Sequence, residues 1–230
     1  MKKYFILFAL AVLYVSCKTS GTAENYPNMV ANINPFSIGT INASLDRVFS
    51  SQLTKVSVDV IFYPRENEVA LEFNHSSGGV YLQFWNEAAR QHFIGSLKQY
   101  NDAFTGQMLT TNYNKSKKIY GKVRGRFEWK PLKISSTYRS SPTIELGYRF
   151  RDNAPYFAAY QPAANEESGA NKDISKSPSY SIYFTRAQAE ELAKLFDQDF
   201  LLQTVANILP QSKPDDSRDE YYNQSDGNTD

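Results

Sequence analysis

The chain has 230 residues and a mass of 26.2 kDa, the size of one domain or two small ones. Its 25 lysines and arginines meet 24 aspartates and glutamates, which excludes a globally basic nucleic-acid binder and a strongly acidic disordered protein. A mean hydropathy of -0.51 excludes a polytopic membrane protein, and a single Cys excludes a disulfide framework or a Cys-rich zinc site. Sixteen Tyr and fifteen Phe favour strands over a helical bundle.

Lys2 and Lys3 precede an apolar run from Tyr4 to Val15. As a helix that run rises about 18 Å, well short of a hydrocarbon core of about 30 Å. It is apolar on every face, so residues 1–16 are expected to be an export signal rather than a buried helix or a membrane span. Leu13-Tyr14-Val15-Ser16-Cys17 then sets the only Cys directly after a small residue. This segment resembles the lipobox of bacterial lipoproteins, which are cleaved before the Cys by a dedicated lipoprotein signal peptidase. Val15 and Ser16 match the pattern, whereas Tyr14 departs from it, the aliphatic residue standing one place early at Leu13. The resemblance implies that Cys17 carries diacylglycerol as a thioether and that the freed amine takes a further acyl chain such as palmitate. At about 0.8 kcal/mol per buried CH₂, one chain holds marginally while two or three hold the body to the bilayer. Membrane lipid is thus the first expected partner, and the cell envelope the expected location. Lys18 stands where some sorting systems read an inner-membrane Asp, which points to the outer membrane. The competing expectation is cleavage after Gly21-Thr22-Ala23, which would release a soluble secreted protein.

Residues 17–39 hold the Cys and a Ser-, Thr-, Gly-, Asn- and Pro-containing stretch without sustained periodicity. It reads as a tether, with a flexible reach of about 23 Å. At the other end, residues 210–230 contain Asp215, Asp216, Asp219, Glu220, Asp226 and Asp230 among few apolar residues. That composition does not offset the cost of ordering and reads as a disordered acidic tail. The expected folded domain is 40–209.

Within it, Val56, Val58, Val60 and Phe62 alternate along one strand, and a turn over residues 63–67 leads to Val69, Leu71 and Phe73 on the next. After a second turn at residues 74–79, Val80, Leu82 and Phe84 are expected to face inward. The period then changes: Ala89, Phe93, Leu97, Tyr100 and Phe104 form an apolar helical stripe, with Asn86 as its cap. Strands follow around Val123, Phe127 and Trp129, around Ile144, Leu146, Tyr148 and Phe150, and over 156–160. A polar insertion, 161–177, precedes Tyr180, Ile182 and Phe184. Thr185 and Gln188 form a capping box for a helix carrying Ala189, Leu192, Phe196 and Phe200, closed before Pro210.

The expected fold is therefore α+β, antiparallel meanders each followed by an amphipathic helix. Tyr81-Leu82-Gln83-Phe84 and Ser181-Ile182-Tyr183-Phe184, one hundred residues apart, each lead from a strand into a helix. They suggest an internal duplication with halves 40–105 and 115–209. That plan resembles, in architecture alone, whirly-like folds such as PUR repeats, and the resemblance implies binding of single-stranded nucleic acid.

Candidate binding residues lie between 115 and 139, where nine cations accompany a lone Glu128. In a strand from Gly121 to Lys130, Lys122, Arg124, Arg126 and Lys130 project from one face and form a candidate anion-binding stripe for an anionic glycan, lipid headgroups or an acidic protein partner. Export makes nucleic acid the least expected ligand. The bland alternative is the solvated face of a half-buried strand. No nucleotide loop or nucleophile elbow is present, and His75 and His92 lack metal-ligand spacing, so neither metal nor cofactor is expected. Asp59 and Glu72 form the one carboxylate pair a glycan-acting enzyme would need. Tyr63, Tyr81, Trp85 and Tyr183, at exposed parity, either stack on sugars or close a second layer. The function the sequence favours is a membrane-anchored extracytoplasmic lipoprotein, a non-enzymatic binding or envelope-scaffolding module. The alternatives are an envelope glycan-acting enzyme, a polyanion- or nucleic-acid-binding whirly-like protein and a soluble secreted protein.

Overall fold

The computed structural model describes residues 33–46, 52–75, 79–109, 117–131, 136–151, 153–169 and 174–209. The export signal, Cys17 and the acidic tail lie outside the described residues. The first strand, β1 (Phe36–Asp46), starts inside the expected tether. β2 (Leu53–Tyr63), β3 (Glu68–His75) and β4 (Gly79–Trp85) continue it as an antiparallel meander, and α1 (Glu87–Thr105) follows. Val58, Val60, Phe62, Val69, Leu71 and Phe73 are buried, as their alternation requires.

In β4 the expected inward face is the wrong one. Tyr81, Gln83 and Trp85 point to the interior because they stand opposite Phe73, Leu71 and Val69, and directly opposed residues share a face of the sheet. Phe84 is buried on the outside instead, under the Arg126 guanidinium 3.4 Å from its ring centre and beside Tyr63 at 5.3 Å. Tyr81 and Trp85 are therefore core residues rather than exposed platforms, and Tyr183, opposite Ser44, is buried on the outer face against Arg151 and Asp46.

The expected strand from Gly121 to Lys130 is broken. β5 (Lys117–Arg124) and β6 (Arg126–Pro131) lie on either side of Gly125. The Gly125 amide donates to the Pro142 carbonyl at 3.0 Å. A Cβ at Gly125 would stand 2.8 Å from Ile144 Cδ1 and 3.3 Å from the Phe84 carbonyl. The returning chain bends at the same level, with β7 (Tyr138–Ser140) and β8 (Thr143–Arg151) on either side of Ser141-Pro142. β5 pairs with β8, while β6 pairs with β7 and β4. β9 (Ala154–Gln161) joins β8 to β10 (Tyr180–Phe184), and β10 returns to β1. Because β5 runs into β6 and β7 into β8, the two ends of the hydrogen-bonded order belong to one bent hairpin, and the described strands curl into an antiparallel ring linked there by the chain itself, with β5 and β7 each keeping one hydrogen-bonded neighbour.

Side chains meet across its interior. Tyr180 lies 5.5 Å from Phe73, 5.7 Å from Tyr81 and 5.6 Å from Phe127, three other strands. Gln83 on β4 donates to Gln161 on β9 at 3.0 Å, both fully buried.

Three helices pack on this ring: α1, α2 (Arg186–Leu195) and α3 (Gln198–Ile208). Asn86 caps α1, and Thr185 with Gln188 forms the expected capping box of α2. The single helix expected to reach Phe200 is two. The Phe200 amide bonds to the Asp197 side chain, while the Phe196 carbonyl accepts from Arg90 Nε at 3.2 Å. The helical bond between Phe196 and Phe200 is thus replaced at both ends. Arg90 is fully buried and also holds the Trp85 carbonyl, the backbone and side chain of Asn67, and Gln198. One guanidinium therefore ties the β2–β3 turn, the end of β4 and the α2–α3 corner.

The helices cross between the two runs of strands. α1, which follows β4, packs on β5 and β8, and α2, which follows β10, packs on β1. Gly39 and Gly121, each at a register shift in its strand, permit this: a Cβ would lie 3.1 Å from Leu195 at the first and 2.7 Å from Ser96 at the second.

Two outcomes follow from this packing. Gly147→Ala places a Cβ 1.9 Å from the Lys118 carbonyl and should cost at least about 2 kcal/mol in urea unfolding. The contrasting Gly95→Ala, in exposed mid-helix with open space around it, should add about 0.5–1 kcal/mol. Arg90→Met leaves the Phe196, Trp85 and Asn67 carbonyls without their donor and should cost about 3 kcal/mol in the same measurement.

Candidate functional site

The seam between β1 and β10 is short. Ser44 pairs with Tyr183 and Leu45 with Ile182, and the pairing stops before Asp46 and Ser181. A cleft of about 210 Å³ opens there. Asp46 comes to it from the end of β1, His75 from the end of β3, Arg149 and Tyr160 from β8 and β9, and residues 179–181 from the start of β10.

Each wall has its own chemistry. Arg149 lies over the Tyr160 ring, 4.7 Å from its centre, and among the described residues no carboxylate stands within ion-pair distance of it. Asp46 is oriented from behind: Arg151 donates to it at 2.7 Å and the Tyr183 hydroxyl at 3.2 Å. Arg151 also donates to Tyr183, at 2.8 Å from Nη2 and 3.0 Å from Nε. An ionised carboxylate offers about four lone-pair sites, so Asp46 keeps acceptor capacity toward the cleft. His75 stacks on Tyr81 with ring centres 4.9 Å apart and planes 8° from parallel. Burial holds its imidazole below the ordinary value of 6.5, which keeps it neutral in neutral solution. Tyr180 lies deepest, with burial holding its phenol well above 10.0, and donates to Gln161 at 3.1 Å. Neutral imidazole, an oriented carboxylate, a stacked guanidinium, serine hydroxyls and tyrosine rings converge on a volume smaller than a drug-sized pocket. That set suits one polar ring carrying hydroxyl groups.

The residues singled out from the sequence lie elsewhere. Lys122 pairs with Glu145 at 2.8 Å. Arg126 is held between Glu68 and Glu128, each at 2.6 Å, and Arg139 joins Glu128 at 3.1 Å. Arg124 and Lys130 are exposed, but Gly125 puts them on different neighbours, Arg124 beside β8 and Lys130 beside β4. The stripe is thus interrupted by the bend and partly neutralised at Arg126. Asp59 and Glu72 do stand directly opposite one another, on the outer face, with Thr40 donating to Asp59 at 2.8 Å; neither lines the cleft. His92 is exposed on α1. Among the described residues no cluster of three His, Cys, Asp or Glu could hold a metal ion, and no helix is long and apolar enough to cross a membrane.

Sequence reasoning passed over Arg149, Tyr160 and Asp46. They belong to no motif: Arg149 and Tyr160 lie on the paired strands β8 and β9, Asp46 is about a hundred residues earlier on β1, and the register of β8, β9, β10 and β1 brings them together.

A family model described as an uncharacterised Treponema protein matches residues 35–203, from the start of β1 into α3. The chain belongs to that family. No curated protein matches it, and no solved structure does. The match covers every strand of the ring and the residues of the cleft.

The depressed His75 value gives a pH dependence with a definite sign. Between the folded value and 6.5 the unfolded chain binds more protons, so stability rises with pH there and is lost as pH falls below about 6.5. The urea midpoint should drop between about pH 7.5 and pH 5, and His75→Gln should flatten that difference.

Proposed function

We propose that this protein is a lipid-anchored module of the cell envelope, held to the membrane through Cys17, that captures a polar ligand in the cleft at the β1–β10 seam. The convergence of Arg149, Tyr160, Asp46 and His75 on that cleft carries the binding part of the reading. The outer membrane is the favoured location.

We also read the ring as two copies of one unit, four strands and a helix, that have exchanged helices. Counted from the caps Asn86 and Thr185, the spacing is 99 residues, one fewer than the strand motifs suggested. That count sets Phe93 and Leu97 level with Leu192 and Phe196, all four buried, and Ser96 level with Leu195. Ser96 and Leu195 are the side chains facing Gly121 and Gly39. The two seams agree as well: Tyr183 and Ile182 meet Ser44 and Leu45, as Phe84 and Gln83 meet Arg126 and Phe127. In each half the register shift comes just before the glycine, between Ser37 and Gly39 and between Ile119 and Gly121. A duplicated scaffold leaves one copy free to diverge at its outer face, which suits a binding module.

Cys17→Ala should move the protein from the membrane pellet to the soluble or uncleaved fraction. Mass spectrometry of the wild-type mature N-terminus should find an acylated Cys17. A mature chain that begins after Ala23 would overturn the anchor.

A further inference from the structure

Near-neutrality of the whole chain conceals a separation of charge around the ring. β1 to β4 carry Lys55 alone against Asp46, Asp59, Glu68 and Glu72. β5, β8, β9 and β10 carry Lys117, Lys118, Lys122, Arg124, Arg149 and Arg151 against Glu145 alone. The cleft opens where the two sides meet, with Arg149 of the cationic side forming part of its wall. Arg151 is matched by Asp46 and Lys122 by Glu145. Arg149 is half-buried, fixed on Tyr160, and without a carboxylate among the described residues.

We infer that the cleft binds a uronic-acid-type saccharide, a sugar ring bearing a carboxylate, and that the basic strands β5 and β8 extend the contact to further acidic residues of the same chain. This rests on the binding module proposed above and names its ligand class. The carboxylate meets the planar fork of Arg149, the geometry a guanidinium matches with two parallel hydrogen bonds. Ring hydroxyls need donors and acceptors together, which Ser179, Ser181 and Asp46 supply, and the apolar face of a single ring has half-buried Tyr160 beside it. A flat bilayer surface would use the cations but not a cleft of this size. A nucleic-acid strand would need exposed aromatic platforms for its bases, whereas Tyr180, Tyr81 and Tyr183 are buried. Lys117 and Arg124, exposed along β5, would add a salt-sensitive contribution through the diffuse field of the face.

The test uses the mature full chain in detergent, titrated calorimetrically with tetragalacturonate, its methyl ester, a twenty-residue oligothymidylate and phosphatidylglycerol vesicles. Tetragalacturonate should bind, its methyl ester at least tenfold more weakly, and affinity should fall as salt rises. Arg149→Gln and Tyr160→Ala should each weaken binding at least tenfold, while Lys55→Gln on the acidic side should leave it unchanged. Arg149→Lys keeps the charge and the stem but loses the fork, and should weaken binding several-fold; it guards against a misfolded glutamine variant. Equal binding of acid and ester, or tighter binding of oligothymidylate or vesicles, overturns the saccharide while leaving the cleft as the site if Arg149→Gln still abolishes it. Binding of any probe that ignores both Arg149→Gln and Tyr160→Ala overturns the cleft itself, and absence of binding to every probe overturns the ligand class. None of these outcomes touches the anchor, which fractionation reads separately.

Discussion

Everything in this fold depends on one bend shared by two strands. At Gly125 on the outgoing strand and Ser141-Pro142 on the returning one, the hairpin changes partners: below the bend it extends β9, above it β4. A straight hairpin would leave an open sheet with two exposed edges, each a template for pairing with another chain. The bend joins both ends of the sheet through one hairpin, so that the described strands left with a single hydrogen-bonded neighbour are β5 and β7. Glycine is needed there because a Cβ would collide with Ile144 and crowd the Phe84 carbonyl, and proline next to it withdraws a donor from the ladder while its carbonyl takes the Gly125 amide.

Closure produces an interior, and the interior explains residues that look misplaced. Gln83 sits at a core position where its Nε2 donates across the ring to Gln161 Oε1, which also accepts from the Tyr180 hydroxyl, and a buried amide is tolerable when it is hydrogen-bonded. Arg90 is buried on the same terms, its donors spread over carbonyl and amide oxygens from three parts of the chain. The crossed helices are a further consequence. With α1 on β5 and β8 as well as β4, and α2 on β1 as well as β9 and β10, each helix bridges both runs of strands, so the two runs are expected to unfold together.

The ring also sorts charge that the composition averages away. Carboxylates dominate β1 to β4 and cations dominate β5 and β8, and the short seam where β10 meets β1 brings the two fields to one mouth. Asp46 and Arg151 pair there, which orients the carboxylate and leaves Arg149 as the cation with capacity to spare. The cleft owes its chemistry to that boundary: an acceptor from one side, a donor fork from the other, and aromatic rings between them.

Local rules carried the reading of this chain as far as its elements. Alternation located β2, β3, β4, β8, β9 and β10, ran β5 and β6 together and missed β1 and β7; the caps at Asn86 and Thr185 located the starts of two helices, and the polarity of Lys2, Lys3 and the apolar run set the expectation for Cys17, which lies outside the described residues. These signals are legible because each depends on residues close in the chain. What failed was whatever a distant partner decides. β4 turned its other face inward because register with β3 outranks the more apolar parity. The last helix broke at Asp197 because Arg90, a hundred residues earlier, takes the carbonyl that would have continued it. The basic strand split because Pro142 and Ile144 wait beside Gly125. The cleft is the extreme case, since Asp46, His75, Arg149 and Tyr160 share no spacing and no motif. Short-range preference is written into neighbouring residues, whereas a site between strands exists only once hydrogen-bond register has placed them side by side.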